Sequence, residues 1–393
     1  MQTLGLYLSI PFCKSKCTYC NFASGVYPAS QIDGYITRVI DDLRAMRSHA
    51  AEWGTELPEI VDTVYLGGGT PSLLSAEQLS RLFSALRREF VVLPASEITV
   101  ECAPGQLEDA SLASMAENGV NRISFGVQSF IDAEAKHSGR LHTREMALAD
   151  LNRVRSAGIS RLSLDLIAGL PGQTAGSWQE SLEVLGSTGV DHASVYMLEV
   201  DDDSRLGREV NAGGFRYYAP QVPTDEAITD MYEEATGFLE KLGLQQYEIS
   251  NFARKGRESR HNLKYWDRKP YLGLGLDAHS MLRAEDGAAM RFATTDELPG
   301  YMEAPSWQPR RLAREEELEE TWFLGLRRNA GVNLRELAAQ FGEETVREIQ
   351  PTLVDLECED LIVLSGSEVR LTARGRMVSN EVFERFLATT PVS

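Results

Sequence analysis

The stretch LYLSIPFCKSKCTYCNF, Leu6 to Phe22, decides how the rest of the chain is read. It opens on a short apolar run of strand type, Pro11 ends that run, and Cys13, Cys17 and Cys20 follow at CxxxCxxC spacing on what the pattern makes a loop. Three thiolates on one tight loop suit three corners of a cuboidal iron–sulfur cluster. A structural zinc site wants four ligands, and neither a nearby His nor a second CxxC pair offers the fourth. Iron–sulfur clusters normally take four thiolates, so three leave one iron coordinatively open. The amino and carboxylate groups of S-adenosylmethionine can chelate such an iron, which positions the sulfonium for one-electron cleavage to a 5'-deoxyadenosyl radical. Two other readings stay open on these residues alone: a zinc site completed by Cys102, or three unrelated thiols. Cys102 and Cys358 have no partner spacing and read as packing residues.

Outward from this loop, β-type runs and amphipathic helical stretches alternate to about residue 200. The runs are LGLYLSIP, VDTVYLGGG, SEITVECAP, VNRISFGVQ, ISRLSLDLIAGLPG and VDHASVYML. The helical patterns fall at about 29–50, 75–90, 106–118, 143–157 and 174–187, several opened by a Ser or Thr cap. Six strand–helix units in series predict an α/β parallel sheet, doubly wound or rolled into a partial barrel. Cys13 follows the first run, Gly67 to Thr70 end the second, Glu101 the third and Gln128 the fourth, and Asp165 sits late in the fifth. Carboxyl ends of parallel strands are where such barrels place their chemistry, so one mouth collects these residues. The glycines of GGGTPS let backbone approach a ligand closely, and Tyr19 offers a ring to an adenine. Glu101 and Asp165 can accept from an ammonium or from ribose hydroxyls, with Gln128 and Arg140 meeting the remaining polar groups. Taken singly, each also fits a packing, surface or helix-end residue.

Residues 201–310 are less regular: DDDSRLGREVNAGG reads as a loop, a helix follows near 223–242, and LQQYEISNFA and YLGLGLDAHSML are strand-like. They predict an extension that widens or covers the sheet. From 311 to 393 the order helix, GVNLRELAAQFG, helix, hairpin LIVLSGSEVRLT and final helix suggests a winged-helix-like module, giving three domains at 1–200, 201–310 and 311–393. That module carries ten Lys and Arg against sixteen Asp and Glu, and the whole chain has a formal charge of −19. Such a field repels phosphate backbones, so no nucleic-acid role is expected. Hydrophobic residues at 43% and charged residues at 25% are ordinary for a soluble protein. The N-terminus MQTLGLYLSIPFCK has no secretory signature, so a reducing cytoplasm is expected, with cysteines that bind metal or stay free.

Together, YLSIPFCKSKCTYCNF, GGGTPS, RISFGVQSF, DLIAGLPGQT, YEISNFA and HNLKYW resemble the radical SAM family of oxygen-independent coproporphyrinogen III oxidases and their relatives, from residue 3 to about 390. The resemblance implies a partial (β/α)6 radical SAM barrel with an extension and a C-terminal winged-helix-like domain. It implies a 4Fe–4S cluster on Cys13, Cys17 and Cys20, and S-adenosylmethionine contacts at Tyr7, Tyr19, Gly68, Gly69, Thr70, Glu101, Gln128, Arg140 and Asp165. Decarboxylating oxidases of the family carry CxxxCxxCxC after a long N-terminal segment. Here position 22 is Phe22, and twelve residues precede Cys13. Both features point to the haem-chaperone branch, whose CxxxCxxCxF pattern is joined by HNxxYW, here His261, Asn262, Tyr265 and Trp266.

That branch implies binding of haem and its delivery to acceptor haemoproteins, respiratory and membrane-bound ones among them. Peripheral membrane contact and a homodimer are options the sequence leaves open. The alternative is the oxidative decarboxylase itself, turning coproporphyrinogen III into protoporphyrinogen IX, which Phe22 disfavours. A third, tRNA modification, is disfavoured by the acidic charge. An imidazole can ligate haem iron, and Tyr and Trp offer flat apolar faces to a porphyrin. His261 is therefore the first ligand candidate and His279, in LGLGLDAHS, the second; a hydrogen-bonded histidine in an aromatic patch is the competing account of His261. Two positions depart from the family pattern: Ala103 in ECAPG, where relatives usually carry Asn, and Asp277, where a small residue is usual.

Overall fold

A computed structural model describes residues 2–303 and 307–387. The six apolar runs become parallel strands, hydrogen-bonded in chain order: β1 Leu4–Ile10, β2 Ile60–Gly68, β3 Val91–Cys102, β4 Arg122–Gln128, β5 Arg161–Ala168 and β6 His192–Met197. Strands covered on both faces need near-continuous apolar sequence, and β1 supplies it, with Leu4, Leu6, Leu8 and Ile10 all fully buried. Helices Ile32–Glu52, Ala76–Glu89, Asp109–Glu117, Arg144–Ser156 and Ala175–Thr188 return the chain between strands, close to where the sequence places them. Ser75 and Thr174 close capping boxes, and the Thr143 side chain accepts from Met146 N, so three of these starts are written in single hydroxyl residues.

The sheet does not close, and the fold is a partial barrel. Beyond β6 it continues into antiparallel β7, Asn251–Ala253. Beyond β1 it continues into β8, Tyr271–Leu274, which runs parallel to β1, and then into antiparallel β9, His279–Ala284, and β10, Ala289–Ala293. The segment read as a loop in DDDSRLGREVNAGG contains a helix, Arg205–Asn211. Ser204 caps it through Gly207 N (2.8 Å), and Leu206 is fully buried in a small cluster that Tyr19 packs against. Three consecutive aspartates hide the single apolar residue that anchors this turn.

A second core gathers Trp322, Leu326, Leu337, Leu353, Leu356, Val369 and their neighbours, with Ile249 reaching in from the barrel side. Its helix Arg314–Arg327 docks on the sheet edge through charge. Glu317 accepts from Arg268 (2.6 Å), Arg283 (3.0 Å) and Ala289 N (2.7 Å), while Arg291 forms a two-pronged pair with Glu320 (3.0 and 2.8 Å). Cys102 is buried in the main core as expected, but Cys358, read as a packing residue, is exposed at the end of helix Glu343–Cys358. Among the described residues, no helix is long and apolar enough to cross a membrane.

Candidate functional site

The loop after β1 is held in shape by its own backbone. Cys13 N donates to Gly25 O (2.9 Å), Gly25 N to Pro11 O (2.9 Å), and Lys16 Nζ reaches across to the carbonyls of Phe22 (2.5 Å) and Ser24 (2.8 Å). Two other segments pin it from outside: Thr18 N donates to Ser138 O (3.0 Å), and Thr18 O accepts from Leu206 N (2.8 Å). Gly69 presses against its start so closely that a Cβ there would stand 2.8 Å from Ile10 O. Cys13, Cys17 and Cys20 emerge half-buried with free thiols. Thr70 Oγ1 lies 3.8 Å from Cys13 Sγ, and one Arg140 guanidinium nitrogen lies 3.6 Å from Cys17 Sγ. Among the described residues no group of three or more His, Cys, Asp or Glu is gathered tightly enough for a single metal ion. Cys102 sits in the core instead of completing a zinc site. Three soft donors spread over one half-buried loop fit a multi-iron cluster, where each thiolate takes its own iron.

Of the residues that the resemblance assigns to S-adenosylmethionine, Gly68, Glu101 and Gln128 lie at or next to strand ends, Tyr7 and Asp165 lie within β1 and β5, and Tyr19 is part of the loop itself. Gly68 ends β2 with φ +101, and Thr70 N donates to Phe12 O (2.8 Å). Glu101 ends β3 and accepts from Tyr65 OH (2.8 Å); burial, with Asp165 adding to it, pushes its carboxyl up to about 7. Gln128 ends β4 in the left-handed region, φ 70, with its Oε1 buried and without a hydrogen-bond partner. Arg140 donates to Gly126 O as well as facing Cys17. Asp165 on β5 accepts from Ser124 Oγ (3.1 and 3.2 Å), and burial holds its carboxyl above the ordinary value. A strained side chain with an orphaned buried oxygen is what a polar ligand would satisfy.

HNLKYW forms the helix Arg260–Trp266, capped by Ser259, whose Oγ accepts from Asn262 N (3.3 Å). This helix packs against the amino ends of the strands. His261 N donates to Glu97 Oε1 (3.1 Å), Lys264 pairs with Asp62 (2.8 Å), and Lys264 Nζ reaches Thr3 O (3.2 Å). The His261 ring is fully buried and both its nitrogens are engaged, Nδ1 with Thr63 Oγ1 (2.9 Å) and Nε2 with Tyr265 OH (2.7 Å). Burial, with Lys264 beside it, pushes the imidazole down to about 3, so it is neutral and donates from one nitrogen while accepting at the other. The expected first haem ligand therefore has no open nitrogen here. Asn262 sits in the capping turn, outside the mouth cavity described next.

Tyr265 and Trp266, one turn on, do reach a cavity. It encloses about 460 Å3 and is lined by Tyr7, Gly68 and Glu101 from the barrel, by Tyr265 and Trp266, and by Tyr271, Asp277, His279, Arg291 and Leu324. Phe22, two residues beyond Cys20, is at its rim and 65% exposed. A larger groove of about 800 Å3, lined by Phe130, Asp132, Arg144 and Glu180 among others, shares no residue with it. The mouth cavity thus brings S-adenosylmethionine candidates and porphyrin-face candidates to one place, next to the cysteine loop.

Residues 7–185 match the radical SAM superfamily, and residues 312–378 match the HemN C-terminal domain. The chain is 33% identical to the heme chaperone HemW of Lactococcus lactis over 385 residues, covering 97% of this chain and 96% of that one. It is 35% identical to the heme chaperone HemW of Bacillus subtilis over 390 residues, covering 97% and 98%. The chain belongs to the HemW family. Its fold is also that of the coproporphyrinogen III oxidase HemN of Escherichia coli, a radical SAM enzyme, with a TM-score of 0.83 at 24% identity over 99% of this chain and 91% of that one.

For this HemW family member, sequence reasoning missed Tyr271, Arg291 and Leu324 as cavity residues. Leu324 belongs to the C-terminal module and Arg291 to β10, so nothing local marks either of them. In the sequence Asp277 stands out only as a departure from the family pattern, and Ala103, the other departure, is buried beside Ser72, whose Oγ lies 3.4 Å from Ala103 N.

Proposed function

We propose that this protein binds haem at the mouth of its partial barrel and delivers it to acceptor haemoproteins. The observation that carries this reading is the mouth cavity, in a chain matching haem chaperones over its whole length. There Tyr265, Trp266 and Tyr271, set edge to face, give the wall an aromatic patch that a macrocycle can pack against. Leu324 brings the C-terminal module to the same wall, so that module encloses the cargo.

In this reading Cys13, Cys17 and Cys20 hold a 4Fe–4S cluster, and Tyr7, Tyr19, Gly68, Gly69, Thr70, Glu101, Gln128, Arg140 and Asp165 surround S-adenosylmethionine. The bound cluster would supply one-electron reduction of the sulfonium. The chain's own residues have simpler tasks. Gln128 Oε1 and Glu101 offer acceptors to hydroxyl or ammonium protons, Arg140 sets positive charge beside the Cys17 sulfur, and Gly68 and Gly69 let the end of β2 lie tight against the start of the cysteine loop. Phe22 adds an apolar ring to the rim, where a fourth cysteine would add a donor.

The test is anaerobic. Reconstituted protein is given S-adenosylmethionine, a reductant and coproporphyrinogen III, and a parallel sample is loaded with haemin and mixed with an apo-haemoprotein. Haem binding at one per chain with transfer, and no protoporphyrinogen, supports the chaperone. Catalytic decarboxylation would replace this reading with the oxidase.

A further inference from the structure

The motif histidine is closed to iron, but the cavity wall contains another. His279 opens β9, and its side chain is 70% exposed. It lines the same cavity as Tyr265, Trp266 and Tyr271. Its Nε2 lies 3.7 Å from Asp277 Oδ1, so a carboxylate faces one edge of the imidazole. A carboxylate there attracts a proton to Nε2 and leaves Nδ1 as the lone-pair donor; carboxylates behind the far nitrogen orient metal-bound histidines in the same way.

The rim that carries this pair is rigid. Asp277 is a non-glycine residue in the left-handed region, φ 53, held there by its N–H to Thr295 O (2.9 Å). Ala278 N donates to Thr294 Oγ1 (3.0 Å). Gly275, φ +100, lies against β1 so tightly that a Cβ would stand 2.5 Å from Ser9 O. A bulky polar residue in a strained turn needs support from its surroundings, and such strain gathers at binding sites. By contrast, bringing His261 to an iron would break two hydrogen bonds and empty a filled position in the barrel floor. Arg291, the nearby cation, is already matched by Glu320 and so is left out of the ligand set.

We propose that His279, oriented by Asp277, is the axial ligand to the iron of a haem seated against Tyr265 and Trp266, and that His261 serves instead to position Tyr265. This rests on the haem-binding reading above. The bond is a dative one from the free imidazole nitrogen to iron, with no change in oxidation state.

Haemin and metal-free protoporphyrin IX are titrated separately into the full chain and into His279→Ala and His261→Gln variants, with the Soret band and pyridine haemochrome content as readouts. For His279→Ala, haemin binding should weaken by about tenfold or more and lose its imidazole-ligated spectrum, which added imidazole restores. Protoporphyrin IX, having no iron to ligate, should bind this variant as it binds the native chain. His261→Gln should keep the native haemin spectrum. An unchanged haemin spectrum in His279→Ala overturns the assignment, and so does equal loss of both porphyrins, which would make His279 part of the wall only. If the native chain binds neither porphyrin, the haem reading itself falls and this ligand assignment falls with it.

Discussion

The two ends of the barrel are built on opposite rules. At the floor, the helix Arg260–Trp266 is tied down through its motif histidine and lysine: His261 has three polar atoms engaged by Glu97, Thr63 and Tyr265, and Lys264 meets Asp62 and Thr3. At the mouth, three thiols stand free, Gln128 Oε1 has no partner, and Glu101 is held near its titration point by burial. A buried polar group without a partner is costly in a folded protein, so Gln128 Oε1 beside three free thiols is a place where a polar ligand would be accommodated. The lesson is that chemical capability alone does not identify a ligand residue. The imidazole of His261 and the thiol of Cys13 are both good metal donors, and only one of them is left open.

The largest effect expected from this contrast is at the mouth. Replacing Cys13, Cys17 and Cys20 with Ser should abolish iron and sulfide incorporation after anaerobic reconstitution, while far-ultraviolet circular dichroism and the thermal midpoint of the cluster-free chain stay near native. A cluster-free variant that fails to fold would mean that the loop is structural and the contrast wrong.

At the floor the prediction reverses. His261→Ala removes a buried ring and two side-chain hydrogen bonds, and urea unfolding of the cofactor-free chain should show a loss of about 2–4 kcal/mol. His261 also makes the fold acid-sensitive. Its folded pKa of about 3 lies below the ordinary 6.5, so the unfolded chain binds the extra proton and stability falls as pH drops through that window, by about 1.4 kcal/mol per pH unit from this residue. His142, pushed down to about 4 chiefly by burial, acts in the same direction. The variant should flatten the stability profile between pH 6.5 and 4 by one proton; an unchanged slope would show that His261 is not buried neutral.

Glu101 should give a gain where His261 gives a loss. Its carboxyl rises from 4.5 to about 7 on folding, so the folded chain holds the proton more tightly and stability falls as pH rises from 4.5 to 7. Glu101→Gln should raise the stability of the cofactor-free chain at pH 8 by about 2 kcal/mol, change little at pH 4, and weaken S-adenosylmethionine binding. No gain at pH 8 would show that burial does not hold the Glu101 carboxyl up in the folded chain. Smallest of all, Cys358→Ser should alter neither reconstituted iron nor stability beyond about 0.5 kcal/mol, because that thiol is exposed and far along the chain from the loop.

The sequence by itself determined the parts whose physics is local. Apolar runs and hydroxyl caps specify six strands and their return helices, and CxxxCxxC specifies three donors on one loop because five intervening residues cannot separate them far. The strand-end positions of Gly68, Glu101 and Gln128 follow from the same periodicity. What HNLKYW does was not legible, since a motif names side chains but not whether their nitrogens are free. Thr63 and Glu97, which engage His261, lie more than 160 residues away on β2 and β3. The cavity was equally hidden, because Arg291 and Leu324 reach it only after the sheet has widened past β1 and the C-terminal helix has docked through Glu317. Tertiary structure alone decided which donors stay open, because burial and hydrogen bonding depend on neighbours that only folding brings within reach.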